Sequence, residues 1–120
     1  MSKLTKKQIK QTEKQIIASL TQVCHQAQVK VKGFEWLTHL VDYDNLTKSL
    51  IIVCIFDSQE NLKKAEDNQM LNQMNMWIVA SLAKLNIRLH KPASQIRFDS
   101  EQACNEQHQG NWERRLTMNH

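Results

Sequence analysis

The most informative pattern in this chain is a run of seven consecutive apolar residues at positions 50–56, most of them β-branched. A strand with one face in water alternates apolar and polar residues, whereas an unbroken apolar run is typical of a strand covered on both faces. Residues 49–56 are therefore predicted as a central, buried strand. This strand argues against a plain helical bundle and predicts two or three layers of structure.

An amphipathic helix is predicted before this strand, over residues 5–28. Thr5 and Gln8 have the spacing of a capping box, which marks the start of a helix. The predicted apolar stripe, with lysine and glutamine opposite it, consists of Ile9, Ile16, Leu20, Val23 and Ala27. Burial of this stripe, more than helix propensity, is expected to hold the helix in place.

Residues 29–42 have extended character and are predicted as the first strand. One face is predicted to carry Phe34, Trp36, Thr38 and Leu40, and the other Glu35, Leu37, His39 and Val41. Gly33 marks either a bulge or the true start of this strand. Residues 42–45 have turn chemistry, so a hairpin to the central strand is expected.

The sequence Phe-Asp-Ser occurs twice, at residues 56–58 and 98–100, and each copy ends an apolar run. We interpret both copies as the same strand-to-helix joint, with Asp57 and Ser58 as strong N-cap residues at the first joint and Asp99 as the helix cap at the second. The first helical segment is predicted to reach residue 85, with a polar stretch at residues 66–69 that divides it in two. Its apolar stripe consists of Leu71, Met74, Ile78, Leu82 and Leu85.

The end of this segment and the rest of the chain are also marked. Asn86 is expected to cap the helix, and Pro92 blocks its continuation. A short strand is predicted over residues 95–98 and a helix over residues 101–108. A short helical turn is predicted to pack back over residues 112–116.

The predicted order of elements is α-β-β-α(α)-β-α. The hairpin is antiparallel, and a helical crossover favours a parallel third strand. The predicted fold class is α+β, a small mixed three-stranded sheet with helices packed mainly on one face. The chain is predicted as a single domain, residues 1–120, with a basic amphipathic helix (1–28), an α/β body (29–116) and a loose tail (117–120).

Composition predicts a cytoplasmic globular protein with no membrane partner. Hydrophobic residues make up 41% and charged residues 23% of the 120 residues, near the globular average. No apolar stretch approaches the ~20 residues that span a bilayer, and no signal-peptide segment follows the first lysines. The three cysteines (Cys24, Cys54 and Cys104) are an odd number and are expected to be reduced.

The net charge of +4 is concentrated at the start of the chain. Residues 1–32 carry seven lysines against Glu13 alone, a balance of +6 that leaves −2 for the other 88 residues. A basic arm on a nearly neutral body indicates contact with nucleic acid or a ribonucleoprotein, and a solvated helix face is the alternative. The predicted nucleic-acid-binding residues are Lys3, Lys6, Lys7, Lys10, Lys14, Lys30 and Lys32.

The polar residues also include candidates for two kinds of metal site. Asp57 and Asp99, with Asp42, could hold a divalent cation for phosphodiester hydrolysis, but helix capping already explains the first two. Cys104 and His108, with Cys24 and His25, lack the paired Cys-x2-Cys spacing of zinc sites. The sequence therefore assigns no catalytic residue, no metal ligand and no cofactor, and an enzyme is the less favoured interpretation.

Aromatic and methionine residues suggest further surfaces. The tryptophans and the tyrosine could stack bases, although core packing explains them equally. Trp112 beside Arg114 and Arg115 is either an exposed contact or a docked terminal segment. A methionine-rich segment is the basis of the alternative function, a protein-interaction or homodimerisation module; it comprises Met70, Met74, Met76 and Trp77.

The stretches at residues 33–41, 49–58, 96–101 and 110–112 resemble a family of small bacterial proteins that are sometimes labelled Fis-like transcriptional regulators. The resemblance covers most of the chain from Gly33 onward and implies a regulator, but it brings no catalytic motif. Fis proteins are all-helical and end in a helix-turn-helix, whereas this chain has a proline break and a predicted strand in its last third. No recognition helix is therefore assigned.

The order α-β-β-α-α-β is similar to that of type II KH domains, which bind single-stranded RNA. Those domains clamp the RNA backbone with a Gly-x-x-Gly loop between paired helices. The corresponding residues 66–69 here are Glu-Asp-Asn-Gln, without glycine. Any RNA contact is therefore expected on another surface.

Overall fold

The computed structural model describes residues 4–119, which form seven α-helices and three strands. The helices are α1 (Lys6–Lys30), α2 (Leu46–Ser49), α3 (Gln59–Asp67), α4 (Met70–Ala83), α5 (Pro92–Gln95), α6 (Glu101–His108) and α7 (Trp112–Asn119). The strands are β1 (Phe34–Leu40), β2 (Ile51–Phe56) and β3 (Ile96–Ser100). None of these helices is both long and apolar enough to span a membrane.

The strands form one sheet in the order β1-β2-β3, so β2 is central. β1 pairs with β2 in antiparallel fashion, and β2 pairs with β3 in parallel. Residues 52–56 of β2 are completely buried, as expected for a strand covered on both faces. The α+β fold class with a small mixed three-stranded sheet is confirmed.

A bulge at Glu35 changes the faces predicted for β1. Phe34 lies opposite Phe56, but Trp36 lies opposite Ile55, so one residue of β1 is skipped in the pairing. Adjacent residues of β2 point to opposite faces, and Phe34 and Trp36 therefore do as well. The prediction that these two share a face was wrong, because strict alternation does not hold across the extra residue.

The main core lies on one face of the sheet, where α1, α3 and α4 pack. The predicted stripe of α1 is confirmed from Ile16 to Ala27, and Met74, Ile78 and Leu82 of α4 are completely buried. These helices pack on Ile52 and the other residues of β2 that share its face. Burial of this stripe is the main contribution to the stability of α1, since apolar surface removed from water contributes roughly 25 cal/mol per Å².

The opposite face of the sheet is covered by α7. Ile55 is completely buried and has Trp36 beside it on β1 and Asp99 beside it on β3. Both neighbours contact α7: the ring of Trp36 packs edge-on against Trp112, and Asp99 binds Arg115. The predicted packing of residues 112–116 is confirmed, and α7 continues to Asn119 into the stretch assigned to the tail; His120 lies outside the described residues.

The β1–β2 connection is longer than a simple turn. A single 3-10 turn (Tyr43–Asn45) is followed by α2, so β2 begins at Ile51 and not at residue 49. Asp42 stabilises the turn, because its Oδ1 accepts a hydrogen bond from the backbone N–H of Asp44 at 3.0 Å. Apolar composition alone did not show where the helix ends and the strand begins.

The repeated strand-to-helix joint is confirmed, but its cap is serine. Ser58 Oγ accepts from the N–H of Asn61 at 3.1 Å, and Ser100 Oγ accepts from Ala103 at 3.0 Å. The prediction of Ser58 as an N-cap is confirmed, whereas Asp57 and Asp99 do not cap the helices. The backbone N–H of Asp57 still pairs with the carbonyl of Gly33 at 2.8 Å, and Asp99 lies within β3.

The helical segment is divided where it was predicted to be, but it ends earlier than predicted. Gln69 separates α3 from α4 and adopts the left-handed conformation, with φ of 69°. α4 ends at Ala83 with Lys84 as its C-cap, so the prediction that Asn86 caps it was wrong. Asn86, with φ of 61°, lies beyond this end, and Pro92 opens the short helix α5. Polar residues without an apolar stripe thus located the junction between the two helices.

Candidate nucleic-acid interface

The first three turns of α1 carry a stripe of exposed lysines. We call Lys6, Lys7, Lys10 and Lys14 the lysine stripe; all four are exposed, and Lys3 lies outside the described residues. At 3.6 residues per turn these positions span about 100° of the helix circumference. The four ammonium groups therefore extend from one side of the helix.

The lysine stripe is unfavourable for α1 itself. Lys6 and Lys10, and Lys10 and Lys14, are like-charged pairs at i,i+4, each costing roughly 0.2–0.5 kcal/mol. The first turn also holds no acidic residue, although the positive end of a helix favours one. Helix stability therefore does not explain these lysines.

No carboxylate neutralises the stripe within residues 4–119, where the ion pairs are Lys63–Asp67, Lys64–Glu60 and Arg115–Asp99. Glu13, the acidic residue of α1, interacts electrostatically with His39 of β1. The positive charge of the stripe is therefore available to a polyanion.

Lys30 and Lys32 do not continue this stripe. By helical geometry Lys30 lies about 24 Å along the axis from Lys14 and about 160° around it. Its Nζ lies 5.8 Å from the centre of the Trp77 ring on α4, and Lys32 follows the end of α1. The structure thus divides the described lysines of the predicted site into two groups on different sides of the molecule.

A shallow groove between α1 and β1 follows the stripe on the same side of α1. Its volume is about 280 Å³, and its lining includes Ile17, Thr21, Cys24, Leu37 and His39. Burial lowers the pKa of His39, with Glu13 acting in the opposite direction, and burial raises the pKa of the Cys24 thiol. Both groups are favoured in their neutral forms, so the groove adds little charge to the stripe.

Comparisons with protein-family models, with curated proteins and with solved structures find no match to this chain. The resemblances to the Fis-like family and to type II KH domains remain predictions. Function is therefore inferred from the geometry of the molecule.

The aspartates considered for a metal site are separated. Asp42 follows β1 and lies at the opposite end of β2 from Asp57, roughly 20 Å away for a six-residue strand. Asp57 accepts two hydrogen bonds from Asn61 Nδ2, at 2.9 and 3.1 Å, and Asp99 binds Arg115. In the described residues no three histidine, cysteine or acidic side chains gather into a metal site.

The cysteines and histidines weighed as zinc ligands have other surroundings. Cys104 is completely buried in α6, and burial raises the pKa of its thiol. His108 Nδ1 lies 3.1 Å from an Nη1 of Arg115, whereas Cys24 packs against the main core on α1. These side chains therefore do not share one site.

Trp36 and Trp112 have a structural role. Trp36 and Trp112 both donate an indole N–H to Glu101 Oε1, at 2.6 and 3.2 Å. The docked-segment interpretation of Trp112 and Arg115 is confirmed, and both residues contact partners inside the fold. Sequence reasoning missed the buried Asp99–Arg115 pair, because no spacing rule relates residues of a strand to residues of a separate helix.

The methionine-rich segment is mostly part of the core. Met74 is completely buried, and Met70 and Trp77 pack against the core. Met76 is 65% exposed and Val79, one helical turn further, is 39% exposed. The apolar surface left for a partner on α4 is therefore small.

Proposed function

We propose that this protein binds nucleic acid through the lysine stripe, without catalysing a reaction. The observation that supports this proposal is the row of like-charged lysines on one side of α1, which destabilises the helix and forms no ion pair with a carboxylate of residues 4–119. A nucleic-acid backbone would remove this repulsion by supplying a phosphate opposite each ammonium group.

The contact is electrostatic and largely independent of sequence. Lysines bind phosphates as point charges. The stripe contains no arginine, the side chain that most often recognises guanine through bidentate hydrogen bonds. Four phosphate contacts give a slope of log K against log salt of about −3.6 for a duplex and about −2.8 for a single strand. This role also agrees with the expected cytoplasmic location and with a regulator or ribonucleoprotein component.

A second candidate function is association with another protein or with a second copy. It is supported by exposed apolar residues on two helices, Ile17 on α1 (47% exposed) and Met76 on α4 (65% exposed). These residues are on separate elements and do not form one large patch. Light scattering that shows a strict monomer would count against homodimerisation.

The proposal is tested by fluorescence anisotropy with labelled single-stranded and duplex oligonucleotides from 50 to 300 mM salt. We expect the triple variant Lys7→Gln, Lys10→Gln, Lys14→Gln to bind more weakly and with a slope smaller by roughly 2 to 3, since each lost contact removes one released counterion. Lys48→Gln, an exposed lysine on α2, is the matched control. Binding that does not depend on salt, or that the triple variant retains, contradicts the proposal.

A further inference from the structure

A small basic pocket lies where the end of α1 meets α3 and the start of α4. Its volume is about 240 Å³. The residues that line it are Lys30, Val31, Lys32, Asn61, Lys64, Ala65, Asn68 and Met70. The pocket therefore brings together two lysines at the end of α1 and one on α3, which are distant in the sequence.

The charge of this pocket is strongly one-sided. Lys30, Lys32 and Lys64 belong to the described lining, and no acidic residue does. Lys30 is held against Trp77, and Lys64 Nζ lies 3.2 Å from Glu60 Oε1, with both side chains of that pair largely exposed. The described lining therefore supplies three lysines and no carboxylate, so a bound anion would be attracted by their positive charge.

The amide side chains of the lining are held in place by neighbouring groups. Asn61 Nδ2 donates to both carboxylate oxygens of Asp57, and Asn68 Oδ1 accepts from the N–H of Met70 at 3.1 Å. With its oxygen used in this way, the Asn68 amide nitrogen is the group suited to donate to a ligand. The pocket thus combines positive charge with a hydrogen-bond donor on a fixed side chain.

We propose that this pocket binds a phosphate group, either of a nucleic acid or of a small phosphate compound. A cavity of about 240 Å³ is smaller than the roughly 300–1,000 Å³ of pockets that enclose whole ligands, so a single anionic group fits it best. A terminal phosphate group carries roughly two negative charges near pH 7 and can therefore interact with several lysines at once, whereas a carboxylate or a backbone phosphodiester carries one charge. The site is separate from the lysine stripe and does not depend on the function proposed for the stripe.

Glu60 allows phosphate binding in the pocket to be distinguished from a change in folding. Its carboxylate competes for the ammonium group of Lys64 and would be repelled by a bound anion. Glu60→Gln is therefore expected to strengthen phosphate binding, whereas Lys30→Gln, Lys32→Gln and Lys64→Gln weaken it. Glu60 and Lys64 are both exposed on α3, so a general loss of folding would weaken binding in both variants and would not strengthen it in one of them.

The test is calorimetric titration of the full chain with inorganic pyrophosphate at low salt. We expect saturable binding that each of Lys30→Gln and Lys32→Gln weakens by about tenfold, as for loss of a charged hydrogen bond. Lys48→Gln, at the other end of the sheet, should bind like the unchanged protein, and so should the triple variant of the lysine stripe. No binding, or equal weakening by Lys48→Gln and Lys32→Gln, overturns the proposal.

The source of the phosphate is separated by two oligonucleotides that differ only in a 5′-phosphate or a 5′-hydroxyl. Tighter binding of the phosphorylated strand, lost in Lys32→Gln, identifies a nucleic-acid end as the ligand. Equal binding of both strands, with pyrophosphate binding retained, identifies a small phosphate compound. Oligonucleotide binding by the triple variant of the lysine stripe tests only the function proposed for the stripe. Pyrophosphate binding tests only the pocket, so the two proposals can fail independently.

Discussion

Arg115 and Asp99 form a buried, two-point ion pair between α7 and β3. Arg115 Nε donates to Asp99 Oδ2 at 2.6 Å, Nη2 donates to Oδ1 at 2.9 Å, and both residues are 6% exposed. Nη1 donates to Gln107 Oε1 at 2.8 Å. The guanidinium is therefore largely satisfied by polar groups of the fold, which fixes α7 over the second face of the sheet.

Removing one partner of this pair is expected to be strongly destabilising. Arg115→Met leaves the Asp99 carboxylate buried without its cation, which costs roughly 3–5 kcal/mol of the free energy of unfolding. Urea unfolding followed by circular dichroism measures this loss. The double variant Asp99→Leu, Arg115→Met should recover part of it, because no buried charge remains unpaired; a double variant as unstable as the sum of the singles would contradict this account.

Gly33 is expected to tolerate no side chain. Its φ is +84°, and a Cβ placed there would lie 2.5 Å from the Cβ of Asn61. Gly33→Ala is therefore expected to lower the free energy of unfolding by roughly 1–3 kcal/mol through backbone strain, with the steric overlap adding to it. Thermal unfolding measures the effect. Gly110→Ala is a useful comparison, since its φ is also positive, at +78°, but the nearest atom is the side-chain Oδ1 of Asn105 at 3.0 Å, so the overlap is smaller.

Most of the fold could be predicted because its signals are local. The apolar run of β2, the stripe of α1 and the serine-containing joints each depend on neighbouring residues, and they give element order and the mixed sheet. The bulge at Glu35 could not be predicted, because it is set by pairing with Ile55 and Phe56, which are distant in the sequence.

The candidate sites divide in the same way. The lysine stripe was visible in the sequence because all its members lie on one helix. The phosphate pocket was not, because Lys64 reaches Lys30 and Lys32 only when α3 packs beside the end of α1. Lys30 and Lys32 were predicted to act with the lysines at the start of α1, but in the structure they line the phosphate pocket.

The three cysteines are expected to differ in reactivity toward a thiol reagent. Complete burial raises the pKa of Cys54, and Cys104 is also completely buried, so neither offers an accessible thiolate. Cys24 is partly exposed at the groove beside β1. In the native protein, labelling followed by mass spectrometry should modify Cys24 first, and Cys24→Ser should leave two thiols that react only on unfolding. Rapid native labelling of Cys54 would show that β2 is not buried as described.

Acidification is expected to destabilise the protein through His39. Burial lowers the pKa of His39 in the folded state, although Glu13 acts in the opposite direction. In the unfolded chain His39 becomes protonated near its ordinary pKa of about 6.5, whereas in the folded protein it becomes protonated only at lower pH. The free energy of unfolding therefore falls as the pH falls from above about 6.5 to the lowered pKa of folded His39. Urea midpoints between pH 7.5 and 5 measure this slope. His39→Gln should flatten it, and an equal slope in this variant and in the unchanged protein would exclude His39 as the cause.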